Sequence, residues 1–312
     1  MTSGPRLFCL DTVLIDVVLK VAELPERAGD ALAREQLITT GGGFNAMSAA
    51  ARLDVSVTYA GRLGTGPFSS VAASALEGEG IATPIERNGD LDTGICVVLS
   101  EPDGERSFVT SPGAEATLRA SDLQSLDVRD GDYVLVSGYN IMYDDSAEMV
   151  LTWLASLPAG VTIAFDPATR MVDIPKANLE AVLASTTWLL CNASEGVHLT
   201  KSDDVAESAA LLASMNDRLN VVIRDGNRGC VVATNHHEAT VIDGFDTIVV
   251  DTNGAGDVHN GVFLAELTLG QAPHDAARWA NAAAAIAVGR FGPASGPTQE
   301  ELVSFAAETE RF

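Results

Sequence analysis

From residue 130 onward, short apolar runs alternate with amphipathic segments of helical period, and few folds satisfy that alternation. Tyr133–Ser137, Val161–Phe165, Thr187–Cys191 and Asn220–Arg224 read as buried strands, with helices at Asp145–Leu157, Pro175–Ala184 and Asp204–Asn216 between them. Apolar runs of this length separated by helices indicate parallel strands covered on both faces. The C-terminal part reads as helical at Gly254–Leu269, Pro273–Arg290 and Thr298–Glu310. Proline stands near the start of the last two, where its missing N–H is harmless.

The first 130 residues break the pattern. Leu14–Val21, Ala33–Thr39, Ile95–Ser100 and Glu105–Thr110 look extended, and Pro102-Asp103-Gly104 is a hairpin turn between the last two. Four extended pieces in two distant pairs do not fit βα alternation, so they are expected to form a small sheet inserted into one α/β domain spanning 1–312. No internal repeat or low-complexity linker is visible.

The formal net charge is −24, from 19 basic and 43 acidic side chains. Such a charge repels phosphate backbones and anionic lipid, which argues against a nucleic-acid or membrane-surface role. An apolar share of 46% with 20% charged residues is that of a globular chain. Cys9, Cys96, Cys191 and Cys230 are far apart and sit mostly in apolar stretches, as buried reduced thiols do. Asp11 and Asp16 interrupt the first apolar stretch, so no signal peptide is read. No run reaches the ~20 apolar residues of a membrane helix. A soluble, cytoplasmic protein is expected.

Two glycine-rich stretches and one polar pair carry chemistry. Thr40-Gly41-Gly42-Gly43-Phe44-Asn45-Ala46 leads into a helix. Its glycines permit close approach of a ligand, and Asn45 offers both a donor and an acceptor to a polyhydroxylated one; an ordinary strand-to-helix turn would look the same. Gly41, Gly43 and Ala46 also satisfy the dinucleotide fingerprint, but Val57–Arg62 lacks the acid that motif requires. Asp251-Thr252-Asn253-Gly254-Ala255-Gly256-Asp257 follows an apolar run, Thr247–Val250, read as a strand, and opens a helix. Amides of Gly254, Ala255 and Gly256 at a helix start make an anion site. A carboxylate at its rim, Asp257, can accept a hydroxyl proton while the amides hold charge on a transferred phosphoryl group. Asn192 and Glu195 spell a capping box, yet they lie at a strand's carboxyl end, where they could also hold Mg²⁺ through its waters.

These sites, in this order, resemble the ribokinase (PfkB) family of carbohydrate and nucleoside kinases from about Leu7 to Glu308. Further matches are Leu24-Pro25, Gly61-Arg62-Leu63-Gly64, Ser137-Gly138, Asp166-Pro167, Gly226-x-x-Gly229 and Gly261. The resemblance implies a doubly wound, mostly parallel sheet flanked by helices, with a small β-sheet lid from about 12–40 and 93–111. It implies transfer of the γ-phosphoryl of Mg-ATP to a hydroxyl, with Asp257 as base and Gly254, Ala255 and Gly256 as anion hole. Asp16, Gly41, Gly42, Gly43 and Asn45 would hold the acceptor. Asn192, Arg224, Gly226, Gly229 and Asn281 would lie along ATP, and Glu195 would act on Mg²⁺ through water. Asp251, Asn253, Ala287 and Gly292 would surround a monovalent cation such as K⁺. Some family members pair as dimers through the lid; others are monomers.

The chain departs from the family at several positions. Thr65-Gly66 replaces an acidic pair, Ser69 a glycine, and Glu115 an asparagine; Asp225 stands before Gly226 where an apolar residue is usual. His259 takes an aromatic position, but it is two residues from Asp257 and off that helical face. His236-His237 do not have metal-ligand spacing. Gly42 replaces the lysine common in ribokinases and sugar-phosphate kinases, and the chain has only three lysines. A neutral acceptor is therefore expected, a free sugar or alternatively a nucleoside. A sensor that keeps the fold without turnover is the rival from another class.

Overall fold

The computed structural model describes residues 4–102, 105–234 and 238–309; the Asp103-Gly104 turn and His236-His237 lie outside them. In the larger sheet the parallel strands are β1 (Leu7–Leu10), β4 (Val57–Tyr59), β7 (Tyr133–Ser137), β8 (Thr162–Asp166), β9 (Trp188–Asn192) and β10 (Asn220–Arg224). Antiparallel β11 (Gly229–Ala233) and β12 (Thr240–Asp243) complete the order β12-β11-β10-β9-β8-β7-β1-β4. The small sheet holds β2 (Val13–Lys20), β3 (Glu35–Gly42), β5 (Ile95–Ser100) and β6 (Arg106–Ser111) in the order β3-β2-β5-β6.

Side-chain alternation in the strands builds two cores, one on each face of the larger sheet. Leu7, Cys9, Leu135, Ala164 and Leu190 face one side, beneath α1 (Phe44–Ala51), α8 (Ala255–Thr268) and α9 (Pro273–Val288). Phe8, Leu10, Val136, Phe165 and Leu189 face the other, beneath α4 (Asp144–Ser156) and α7 (Val205–Ala213). All four cysteines are free and buried. Among the described residues, no helix is long and apolar enough to cross a membrane.

One expected strand is absent. Thr247–Val250 forms no ladder, and Ile248, Val249 and Val250 are exposed. β12 is already the edge of the sheet; the run is held through Val250 N–H donating to the Val288 carbonyl at 2.7 Å. β-branched residues supplied strand propensity, but there was no neighbouring strand to pair with.

The departures near Thr65 and Glu115 serve local structure. Asp92 accepts hydrogen bonds from Phe68 N and Ser69 N at the start of α2 (Pro67–Gly78), and the Ser69 hydroxyl reaches Asp92 Oδ1 at 2.6 Å. Buried Glu115 accepts from the amides of Gly94 (3.0 Å) and Gly113 (2.7 Å).

Candidate active site

The carboxyl edge of the larger sheet gathers polar groups. Arg224, Asn192, Asp166 and Ser137 close neighbouring strands β10, β9, β8 and β7, and Asp11 follows β1 directly. Chain order reverses between β7 and β1, and such a crevice is where open α/β sheets bind ligands.

α8 points its N-terminus at this edge. Gly254, before its first turn, has φ +74°, and a Cβ there would stand 2.3 Å from the Pro293 carbonyl oxygen. The chain can enter the helix this way only with glycine. Ala255 N–H donates to Thr252 O at 3.3 Å, so of the three amides expected to form the anion hole this one is partly engaged. The N–H groups of Gly254, Gly256 and Asp257 have no partner among the described residues.

Asp257 is oriented from α1: Asn45 Nδ2 donates to Asp257 Oδ2 at 2.9 Å. The two helices can approach this closely because a Cβ at Gly261 would lie 2.1 Å from Ala46 O, space that only glycine leaves free. The Oδ1 of buried Asn45 is unpartnered among the described residues. Asp16, buried on β2, lies against the Gly41 main chain, and Asp11 lies against Gly43.

The electrostatics follow from crowding of acids. Burial pushes Asp257 up to about 6; the Asn45 hydrogen bond opposes this, the Asp166 charge adds to it and Arg224 opposes it. Burial and then the Asp257 charge lift Asp11 and Asp16 to about 7 each. A carboxyl raised in this way binds its proton more tightly in the folded chain. It therefore costs stability above its folded pKa, and the cost fades as pH falls towards 4. Asp11→Asn should raise Tm at pH 8 by about 2 °C or more, and by progressively less towards pH 5. Thermal melts at both values check this; a fall in Tm at pH 8 would contradict the assignment.

Asn192 and Glu195 form the capping box at the start of α6 (Ala193–Thr200): Glu195 N–H donates to Asn192 Oδ1 at 2.9 Å, and Asn192 N–H to Glu195 Oε2 at 2.8 Å. The box engages only Oε2 of the Glu195 carboxylate. Burial and the Asp166 charge raise the Glu195 carboxyl, with Arg224 opposing. Arg224 binds Asn260 Oδ1 and lies 3.2 Å from Asp166 Oδ2, beside Gly256. Asp225 accepts from Arg228 Nε and Nη2, each at 2.6 Å. Gly226 and Gly229, both at positive φ, shape that turn.

Asn281, expected along ATP, lies on α9. It is buried, and its amide donates to the carbonyls of Ile242 (2.9 Å) and Asp243 (3.2 Å), which ties α9 to β12. His259 Nε2 lies 3.2 Å from Asn281 Oδ1, and burial pushes the imidazole down to about 3, leaving it neutral and away from Asp257. Asp251, expected at a monovalent cation, binds Arg106 of β6; its Oδ1 also accepts from Asn253 N (2.8 Å) and its Oδ2 from Gly292 N (3.2 Å).

Three groups escaped the sequence reading. Asp11 looked like an interruption of an apolar run, although its place just after a strand was a usable signal. Asp166 was visible only as part of Asp166-Pro167. Asn260 lies three residues after Asp257, the spacing that shares a helical face, and its Nδ2 donates to Asp166 Oδ2.

The family profile for pfkB family carbohydrate kinases matches residues 5–300. A sugar kinase of Escherichia coli K12, YegV, itself uncharacterised, is 31% identical over 97% of this chain and 94% of its own. An ATP-dependent ribose-1-phosphate kinase of Halopiger xanaduensis is 29% identical over 94% of this chain and 95% of its own. The crystal structure of a Thermotoga maritima ribokinase superposes with a TM-score of 0.83 at 25% identity, over 97% of this chain and 99% of that one. The chain belongs to the pfkB family of carbohydrate kinases.

Proposed function

We propose that this enzyme transfers the γ-phosphoryl group of ATP to a hydroxyl of a neutral sugar. The observation that carries the reading is Asp257 oriented by Asn45, on a helix start whose Gly254, Gly256 and Asp257 amides have no partner among the described residues. Asp257 takes the proton of the attacking hydroxyl. The new oxygen–phosphorus bond forms as the β–γ bridging bond breaks, ADP departs, and the amides with Arg224 stabilise charge on the moving group. Glu195, just beyond the carboxyl end of β9, suits an outer-sphere hold on Mg²⁺; the ion would neutralise phosphate charge. No group of three or more His, Cys, Asp or Glu able to hold a metal is found among the described residues, which favours a metal carried by phosphates and water. The small sheet, from about 12–40 and 93–111, acts as a lid that keeps water from the phosphoryl group. The free thiols and the use of ATP fit the cytoplasm.

A neutral acceptor is favoured by the crowding of Asp11, Asp16 and Asp257: burial and mutual repulsion already lift these carboxyls, and an anionic acceptor would add to that repulsion. All three lysines have partners elsewhere, Lys20 at Glu35, Lys176 at Glu180 and Lys201 at the His198 carbonyl. A nucleoside is the second reading. It draws on Tyr139, whose partly exposed ring stands within electrostatic reach of Asp11 and Asp257 and offers a stacking face.

Acceptor-dependent ADP release tests this across free sugars, sugar acids, sugar phosphates and nucleosides. A neutral acceptor should exceed its phosphorylated counterpart in kcat/KM by roughly 10²-fold or more, the worth of leaving a buried charge unpaired. A preference for the phosphorylated partner would overturn neutrality, and tight binding without turnover throughout would favour a sensor. The acid limb of kcat/KM should fall below about pH 6, as Asp257 becomes protonated.

A further inference from the structure

We propose that the Arg106 guanidinium, reaching from the small sheet, stands in place of the monovalent cation that the family resemblance implies, so that this enzyme needs none. The inference rests on the kinase reading. Four positions were expected around the ion, and at two of them, Asp251 and Ala287, the oxygens are already engaged. Asp251 is 9% exposed; its Oδ1 binds Arg106 and Asn253 N–H, and its Oδ2 binds Gly292 N–H. The Ala287 carbonyl accepts from Arg290 N at 3.0 Å and from Ser295 Oγ at 3.2 Å. A fixed planar cation with its own donors fills the role that a bare ion would have.

The placement has a reason. Asp251 precedes Gly254 by three residues, so an uncompensated carboxylate there would oppose binding of polyanionic ATP at the α8 amides. Arg106 cancels that charge, and Asp251, which also accepts from Asn253 N and Gly292 N, ties β6 to the turn into α8 and to the loop at Gly292. Arg106 is thus a positioning residue for the anion hole. It comes from β6, so the compensating charge is in place only while the small sheet covers the body.

The test compares thermal melts of wild type, Arg106→Gln and Arg106→Lys in KCl and in tetramethylammonium chloride at equal ionic strength. It needs no turnover, because an ion that binds only the native state raises Tm. Wild type and Arg106→Lys should melt alike in both salts, whereas Arg106→Gln should gain Tm saturably with K⁺. In rate assays Arg106→Gln should lose roughly tenfold or more of kcat in tetramethylammonium and recover most of it with K⁺. A purely structural role would give no such rescue. Saturable stabilisation or activation of wild type by K⁺ overturns the proposal, as does an Arg106→Gln protein indifferent to K⁺. If Arg106→Gln fails to fold, the wild-type titration and Arg106→Lys decide. Wild type that turns over no acceptor in any salt counts against the kinase reading, while the melts still decide this one.

Discussion

Asp257→Asn is expected to lower kcat by roughly 10²–10⁴-fold, the usual worth of a positioned base, while ATP affinity changes little. The substitution keeps the shape and leaves the Gly254, Gly256 and Asp257 amides in place, but the amide cannot take a proton. The lost carboxylate also removes a charge that raises Asp11 and Asp16, so both should titrate nearer their ordinary range in the variant. Steady-state kinetics with ATP and the best acceptor check the first effect, and carboxyl NMR titration the second. Turnover near that of wild type would remove Asp257 from its role.

Arg224→Met should give the second large loss, at least roughly 10²-fold in kcat/KM for ATP. Arg224 holds Asp166 and Asn260 and faces Glu195, so its removal leaves acids looking at the incoming triphosphate. Its charge also holds Asp257 down, so the acid limb of the pH profile should move above about pH 6 in the variant. Arg224→Lys should retain more activity, because it keeps the charge although it loses the forked geometry. An unchanged KM for ATP together with an unmoved acid limb would show that Arg224 only buttresses the strand ends.

Much of this site was readable because its parts are local. A glycine-flanked acid at a helix start, or an Asn after three glycines, declares its backbone geometry within seven residues. The capping box at Asn192 and Glu195 was equally plain, and the pair does cap α6. What escaped depends on distance along the chain. Arg106 meets Asp251 across 145 residues, and no periodicity encodes that approach. Nor does local spacing reveal that the Asn281 amide is spent on the Ile242 and Asp243 carbonyls of β12, 39 and 38 residues back. Asp225, standing before Gly226 where an apolar residue is usual, is paired by Arg228 three residues on, a partner the motif comparison did not supply. Thr247–Val250 shows the converse error, strand propensity without a partner strand.

The central claim is that the phosphoryl group passes to an alcohol and not to water. ³¹P NMR of a reaction containing Mg-ATP and the best neutral acceptor tests it most directly. The account predicts ADP and a phosphomonoester in equal amounts, little inorganic phosphate, and both products formed at least roughly 10²-fold more slowly with Asp257→Asn. Inorganic phosphate rising in step with ADP, or a bound acceptor with no change in the ATP resonances, would contradict it.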